Sequence, residues 1–167
     1  GGVGKTTIAR SVFREVSNQF DNTRFVKNVR EVSEKSGLHS VQRDLLFSMD
    51  RNMEIDNVSQ GTLMIRKMFC RQKVLLVLDD VDQISQLDAL AGDHNWFGEG
   101  SRIIITTRDE RLLLAHGINE DIYNVDLLNG DEALQLFSLY AFRMNSPRKD
   151  YEKQSRLVVH YAAGLPL

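Results

Sequence analysis

The chain has 167 residues, enough for one domain or for one domain and part of a second. Its 42% hydrophobic and 26% charged residues are typical of a globular protein, and its net charge of −2 does not resemble a nucleic-acid-binding footprint. No apolar run approaches the roughly 20 residues of a membrane span, and the one cysteine, Cys70, excludes an internal disulfide, which suits a reducing compartment.

The chain begins with a glycine-rich stretch that precedes a predicted helix: Gly1, Gly2, Val3, Gly4, Lys5, Thr6 and Thr7. It matches the end of the phosphate-binding pattern G-x-x-x-x-G-K-[ST]. Glycines allow the backbone N–H groups to turn inward around a di- or triphosphate, beside the positive end of the helix. We expect Lys5 to reach the β- and γ-phosphates and the Thr6 hydroxyl to hold Mg²⁺. The alternative is a flexible glycine terminus that precedes Lys-Thr-Thr by chance.

Apolar spacing then predicts further elements in the first half of the chain. Helical periodicity covers 5–20, 38–49 and 57–71. A short strand is predicted over 24–30, and a polar loop over 31–37.

A second site signal follows at residues 73–80, where five apolar residues precede Asp79 and Asp80. This run predicts a strand buried on both faces, as in a parallel sheet. Ligands of open α/β sheets bind at the carboxyl ends of the strands, so we expect Asp79 to belong to the Mg²⁺ site. Asp80 is a candidate catalytic residue that positions or activates a water. The alternative is a polar strand end that leads into a helix capped by Asp82.

The next predicted strand, over 101–108, ends at Thr106, Thr107 and Arg108 and lies between predicted short helices over 83–91 and 110–116. A guanidinium group pairs with phosphate in a planar fork, so we expect Arg108 to sense the terminal phosphate. The alternative is a surface ion pair between Arg108 and Asp109.

The last part of the chain is predicted to be helical after a final strand over 122–125. A helix begins at Asn129, which forms a capping box with Glu132. This change predicts a domain boundary near 126–129. The nucleotide-binding α/β domain then covers 1–126, and the start of a helical subdomain covers 127–167.

The final helix is predicted to begin with Ser146 as N-cap and Pro147 in its first turn. It stops at Gly164, with Pro166 beyond it.

Four stretches, in this order and spacing, resemble the NB-ARC domain of plant nucleotide-binding, leucine-rich-repeat disease-resistance proteins: 1–7, 76–82, 100–109 and 164–167. Residues 132–137 match as well. Asp82 and the stretch 25–31 resemble the class of these proteins that carries an amino-terminal TIR domain. The resemblance implies the three-layer P-loop NTPase α/β fold with a parallel sheet, followed by a small helical subdomain.

The resemblance also implies an ADP/ATP switch that controls defence signalling by nucleotide exchange. It assigns the phosphates to Gly2 through Thr7, the Mg²⁺ site to Thr6 and Asp79, the phosphate sensor to Arg108 and an adenine contact to Pro166. For Pro166, a simple helix terminator is the alternative. Implied partners are TIR and leucine-rich-repeat domains of the same protein and other copies of it on activation, in the cytoplasm or, alternatively, the nucleus.

By the same resemblance, the chain is expected to be a segment of a longer protein that lacks the first strand of the fold. We expect that strand between the 73–78 and 101–107 strands, bonded to both. The isolated segment is therefore predicted to fold poorly, because two buried edges would lose their backbone partners.

Two other functions remain open at this point. The first is a working P-loop kinase or ATPase, which fast turnover would identify. The second is an interaction module that no longer binds nucleotide, against which Lys5, Thr6 and Asp79 argue.

Overall fold

The computed structural model describes residues 1–47 and 54–166. The chain divides into two compact units. One is the α/β unit, Thr6–Ile122, and the other joins Gly1–Lys5 to the chain from Tyr123 onward. The domain limits proposed from the sequence remain a prediction.

The α/β unit contains a parallel sheet of three strands in the order β1 (Asn22–Val26), β2 (Val74–Val81) and β3 (Arg102–Thr107). The apolar run of β2 is fully buried, as its continuous hydrophobicity predicts. Because the strands are parallel, their carboxyl ends meet at one edge of the sheet.

The predicted position of a missing strand is wrong. β2 pairs directly with β3, from Leu75 opposite Arg102 to Val81 opposite Thr107, so there is no gap between them. β2 is hydrogen-bonded on both of its edges, which removes the reason given for expecting the segment to fold poorly.

The helices of the described residues are α1 (Lys5–Val16), α2 (Val29–Ser36), α3 (Leu38–Leu46), α4 (Val58–Phe69), α5 (Ile84–Ala91), α6 (Glu110–Ala115), α7 (Gly130–Phe142) and α8 (Glu152–Ala162). Helices α2 to α6 contribute to one apolar core with the sheet. Its fully buried side chains include Val29, Leu45, Ile65, Phe69, Leu76, Leu87 and Leu90.

The predicted loop over 31–37 is wrong, because α2 occupies most of it. Val29 is fully buried and Val32 packs against the core, which gives this mostly polar segment an apolar face. Lys35 pairs with Glu31 one turn earlier at 2.6 Å. The predicted end of the following helix at Met49 lies outside the described residues.

The predicted strand over 122–125 is also wrong, since these residues pair with no strand in the described part of the chain and Tyr123 is 78% exposed. The capping box of α7 is confirmed, with Asn129 and Glu132 bonded reciprocally. The last helix begins at Glu152, not at Pro147. The ring centroids of Phe142 and Tyr151 lie 5.9 Å apart, and the residues between them join α7 to α8.

Candidate functional site

The carboxyl end of β2 carries two adjacent carboxylates, Asp79 and Asp80. The pairing of β2 with β3 is irregular between Leu78 and Val81, and Asp80 has a left-handed backbone with φ 58°. Aspartate tolerates this conformation better than most residues. Successive side chains of a strand point to opposite faces, so the two carboxylates meet different partners.

Asp79 is 2% exposed and is held by two hydroxyl groups. Its Oδ1 accepts hydrogen bonds from Thr6 Oγ1 at 2.7 Å and from Thr106 Oγ1 at 2.8 Å. The Thr106 hydroxyl in turn accepts from the Asp80 N–H at 2.9 Å. The structure therefore brings together Thr6 and Asp79, the two residues predicted from sequence to hold a cation. Both donors are neutral, so the charge of the carboxylate is not balanced by either of them.

Asp80 is held by two arginines instead. Its Oδ2 lies 3.0 Å from Arg30 Nη2, and its Oδ1 lies 3.3 Å from Arg108 Nε. A water activated by Asp80 would have to compete with both guanidinium groups for this carboxylate. The role of Asp80 as a catalytic residue stays a prediction.

Arg30 was missed by the sequence reasoning. It follows β1 by four residues, at the second position of α2. The signal that points to it is the parallel sheet, because the carboxyl end of β1 lies beside that of β2.

The alternative partner proposed for Arg108, Asp109, is bound to Arg111 instead. Arg111 Nε lies 3.1 Å from Asp109 Oδ1, and the same oxygen accepts from the Arg111 N–H at the start of α6. The hydrogen bond from the Arg111 side chain makes the largest contribution to lowering the pKa of Asp109, and the bond from the Arg111 backbone N–H lowers it further. Arg108 itself is 57% exposed and pairs with Asp80.

The glycine-rich stretch has the backbone that its composition predicts. Gly2 and Gly4 have φ of 85° and 95°, a region that favours glycine. Lys5 is the half-buried first residue of α1, while Gly1 and Thr7 are exposed and Val3 is half-buried.

Pro166 belongs to the same compact unit as Gly4. A Cβ atom added to Gly4 would lie 3.7 Å from Pro166 Cγ, so the proline ring faces the glycine-rich stretch. Helix α8 has already ended at Ala163 and Gly164, which have φ of 50° and 82°. The end of this helix therefore does not require Pro166.

The donor set around Asp79 suits a magnesium ion. Mg²⁺ prefers hard oxygen ligands and is usually held by one or two protein groups, with waters and substrate phosphates completing its shell. Thr6 supplies a hydroxyl oxygen and Asp79 a carboxylate. In the described residues, no group of three or more His, Cys, Asp or Glu side chains could hold a metal, so any such ion would rely on waters and phosphates for the rest of its shell.

Within residues 1–47 and 54–166, no helix is long and apolar enough to cross a membrane.

A parallel sheet, a G-K-T sequence at the start of α1 and an acidic end of β2 together define the class of P-loop nucleotide-binding folds.

A family model described as "NB-ARC domain" matches residues 1–147. The chain therefore belongs to the NB-ARC family, as the resemblance in its motifs predicts, and is a nucleotide-binding domain.

Its similar proteins are plant resistance proteins. Disease resistance protein RPV1 of Vitis rotundifolia is 43% identical over 170 residues, which cover 100% of the chain and 12% of that protein. TMV resistance protein N of Nicotiana glutinosa is 45% identical over 175 residues, covering 100% of the chain and 15% of the relative. Probable disease resistance protein RPP1 of Arabidopsis thaliana is 40% identical over 172 residues, which cover 99% of the chain and 14% of that protein. The chain thus spans less than a sixth of the length of these relatives.

Proposed function

We propose that this chain is the ADP/ATP-binding switch of an intracellular plant immune receptor of the TIR class. Exchange of ADP for ATP would permit the receptor to open and self-associate, and slow hydrolysis would reset it. The relatives, which are named as resistance proteins, support the context of plant defence. The site supports the nucleotide chemistry.

The observation that carries the proposal is the 2.7 Å hydrogen bond between Thr6 and Asp79. It joins the hydroxyl of the G-K-T sequence to the acidic end of β2, although 73 residues separate them. When Mg²⁺ is bound, it supplies positive charge that neutralises the phosphates of the nucleotide. Thr6 and Asp79 are the residues that would hold it.

In this proposal, each of the remaining site residues contacts a different part of the nucleotide. The backbone N–H groups of residues 1–7 bind the phosphates, and Lys5 balances their charge. Arg108 recognises the terminal phosphate, since its side chain is exposed and is paired with one oxygen of Asp80 at 3.3 Å. Pro166 packs on the adenine.

A fast ATPase or kinase is the weaker proposal. Both oxygens of Asp80 already face guanidinium groups, at 3.0 and 3.3 Å, so nothing about the carboxylate favours rapid activation of water. We expect the full-length protein to hydrolyse ATP more slowly than about 1 s⁻¹, the low end of typical enzymes. Turnover well above that rate would favour the motor or kinase.

Calorimetric titration of ADP into the full-length protein tests the binding proposal. Lys5→Gln is expected to weaken ADP binding about tenfold or more, because hydrogen bonds to charged groups contribute about 1.5–3 kcal/mol. Arg14→Gln is the matched control, since it removes one exposed positive charge near the end of the same helix. If Lys5→Gln binds ADP as well as Arg14→Gln does, the phosphate site is not where we place it, and an interaction module becomes the better interpretation.

A further inference from the structure

The carboxylate of Asp80 is shared by two arginines that come from different parts of the fold. We propose that Arg30 is a positioning residue that keeps Asp80 paired when Arg108 leaves it for the terminal phosphate of a nucleoside triphosphate. This inference rests on the proposed function, because it requires Arg108 to recognise that phosphate.

The geometry allows Arg108 to leave without disturbing Arg30. Each arginine contacts a different oxygen of Asp80, Arg30 at 3.0 Å on Oδ2 and Arg108 at 3.3 Å on Oδ1. The Arg30 side chain is 35% exposed, whereas the Arg108 side chain is 57% exposed. Arg108 is therefore the more weakly held partner and the one more accessible to a ligand.

The backbone around Arg30 is also anchored to the segment that follows Asp80. The Ser33 hydroxyl donates to the carbonyl of Arg30 at 2.9 Å, and Ser33 accepts a hydrogen bond from the buried Gln86 side chain at 2.9 Å. The side-chain oxygen of Gln86, Oε1, accepts a hydrogen bond from the Asp82 N–H at 3.0 Å. Helix α2 and the end of β2 are thus tied together, whereas Arg108 lies between β3 and α6.

Charge explains why a second arginine is needed. Two guanidinium groups and one carboxylate carry a net positive charge, which attracts an anion. If Arg108 moved to a phosphate and Asp80 had no other partner, a bare carboxylate would remain near that phosphate and repel it. With Arg30 in place, Asp80 stays neutralised while Arg108 moves.

The test compares ADP with a non-hydrolysable ATP analogue in the full-length protein. Arg30→Gln is expected to weaken binding of the ATP analogue about fivefold, the size of effect that a partly exposed charge pair supports, and to leave ADP binding nearly unchanged. Lys35→Gln is the matched control, because it removes one positive charge from the same helix, and Lys35 is paired with Glu31 at 2.6 Å and not with Asp80 in the described residues. Arg30→Lys keeps the charge and should restore most of the ATP preference.

A double variant shows whether Arg30 acts through Asp80. In an Asp80→Asn background, Arg30→Gln should no longer change the ratio of ATP-analogue to ADP affinity. The same loss in both backgrounds would mean that Arg30 contacts the nucleotide itself, and would overturn the proposal. Equal weakening of both nucleotides, or no weakening at all, would also overturn it.

Arg108→Gln separates this inference from the proposed function. If Arg108→Gln lowers the affinity for the ATP analogue and Arg30→Gln does not, only the role of Arg30 is wrong. If Arg108→Gln leaves the ATP preference unchanged, the phosphate sensor is wrong, and the role of Arg30 is overturned with it.

Discussion

Asp79 and Asp80 are neighbours in one strand, but their surroundings are opposite in charge. Asp79 is buried between the neutral hydroxyls of Thr6 and Thr106, so its negative charge is not balanced by them. Asp80 is partly exposed between Arg30 and Arg108, so positive charge is in excess. The first setting suits a cation and the second suits an anion, which is the combination that a magnesium-bound nucleotide requires.

The difference arises from position in the strand and not from the residue type. Successive side chains of a strand point to opposite faces, so two adjacent aspartates meet different partners. The irregular pairing at the end of β2 and the left-handed φ of Asp80 are a local departure from regular strand geometry at the same place. Variants at the two positions should therefore behave differently.

The largest expected effect is that of Asp79→Ala on stability. It removes the acceptor of two hydroxyl groups, one of them on the buried Thr106, and should lower the free energy of unfolding by about 2–4 kcal/mol. Chemical denaturation of the full-length protein, following the transition of this domain, measures the change. Asp79→Asn keeps one acceptor oxygen and should lose less. A smaller loss for Asp79→Ala than for Asp80→Asn would contradict the comparison.

Thr106→Val should come next, because the Thr106 hydroxyl serves both carboxylates. It donates to Asp79 and accepts from the backbone N–H of Asp80, so its loss leaves a backbone donor unpaired, at a cost of about 1–3 kcal/mol. Thr107→Val, next to it, is the control, because the Thr107 hydroxyl bonds to the exposed backbone of Asp109, accepting from its N–H at 3.2 Å and donating to its carbonyl at 3.5 Å. Denaturation midpoints should rank the wild type first, then Thr107→Val, then Thr106→Val.

Asp80→Asn should have a smaller effect that depends on salt. Asparagine tolerates the left-handed backbone, so the variant removes the two ion pairs without adding strain. Partly exposed pairs contribute about 1 kcal/mol or less, and 1 M salt shortens the screening length to about 3 Å. The stability difference from the wild type should therefore shrink in 1 M NaCl. A difference that is the same at low and high salt would show that the arginines do not act through charge.

The smallest effect on stability is expected for a variant of Asp109, which lies outside the surroundings of both Asp79 and Asp80. Its pKa is lowered by hydrogen bonds from Arg111, so its contribution to stability is present above its usual pKa and is lost as the pH falls through the lowered value. Thermal melts between about pH 5 and about pH 2 should show the wild type losing slightly more stability than Asp109→Asn. Parallel pH profiles for the two proteins would argue against the pairing of Asp109 with Arg111.

The sequence pointed to the contact between Thr6 and Asp79 more directly than to the neighbours of Asp80. The G-K-T sequence and the buried run before Asp79 are local patterns that directly encode a loop, a helix start and a strand end. Arg30 carries no such pattern, because its role depends on β1 lying beside β2 in parallel register. The order of the strands is likewise a long-range property, and the direct pairing of β2 with β3 was not foreseen.

The same limit applies to the secondary structure. The capping box at Asn129 located the start of α7 because both of its residues are close in sequence. Helix α2 was missed because its polar residues hide a short apolar face, and only the tertiary core makes that face visible. The Phe142 and Tyr151 rings meet across the turn between α7 and α8, a contact that a local Ser-Pro pattern does not reveal.

Magnesium dependence of ADP binding tests the central claim most directly. We propose titrating ADP into the full-length wild type, Asp79→Asn and Asp80→Asn, each with and without Mg²⁺. Mg²⁺ is expected to strengthen ADP binding to the wild type and to Asp80→Asn. It is expected to have no such effect on ADP binding to Asp79→Asn. If Mg²⁺ strengthens binding to Asp79→Asn as much as to Asp80→Asn, Asp79 does not belong to the magnesium site and the account is wrong.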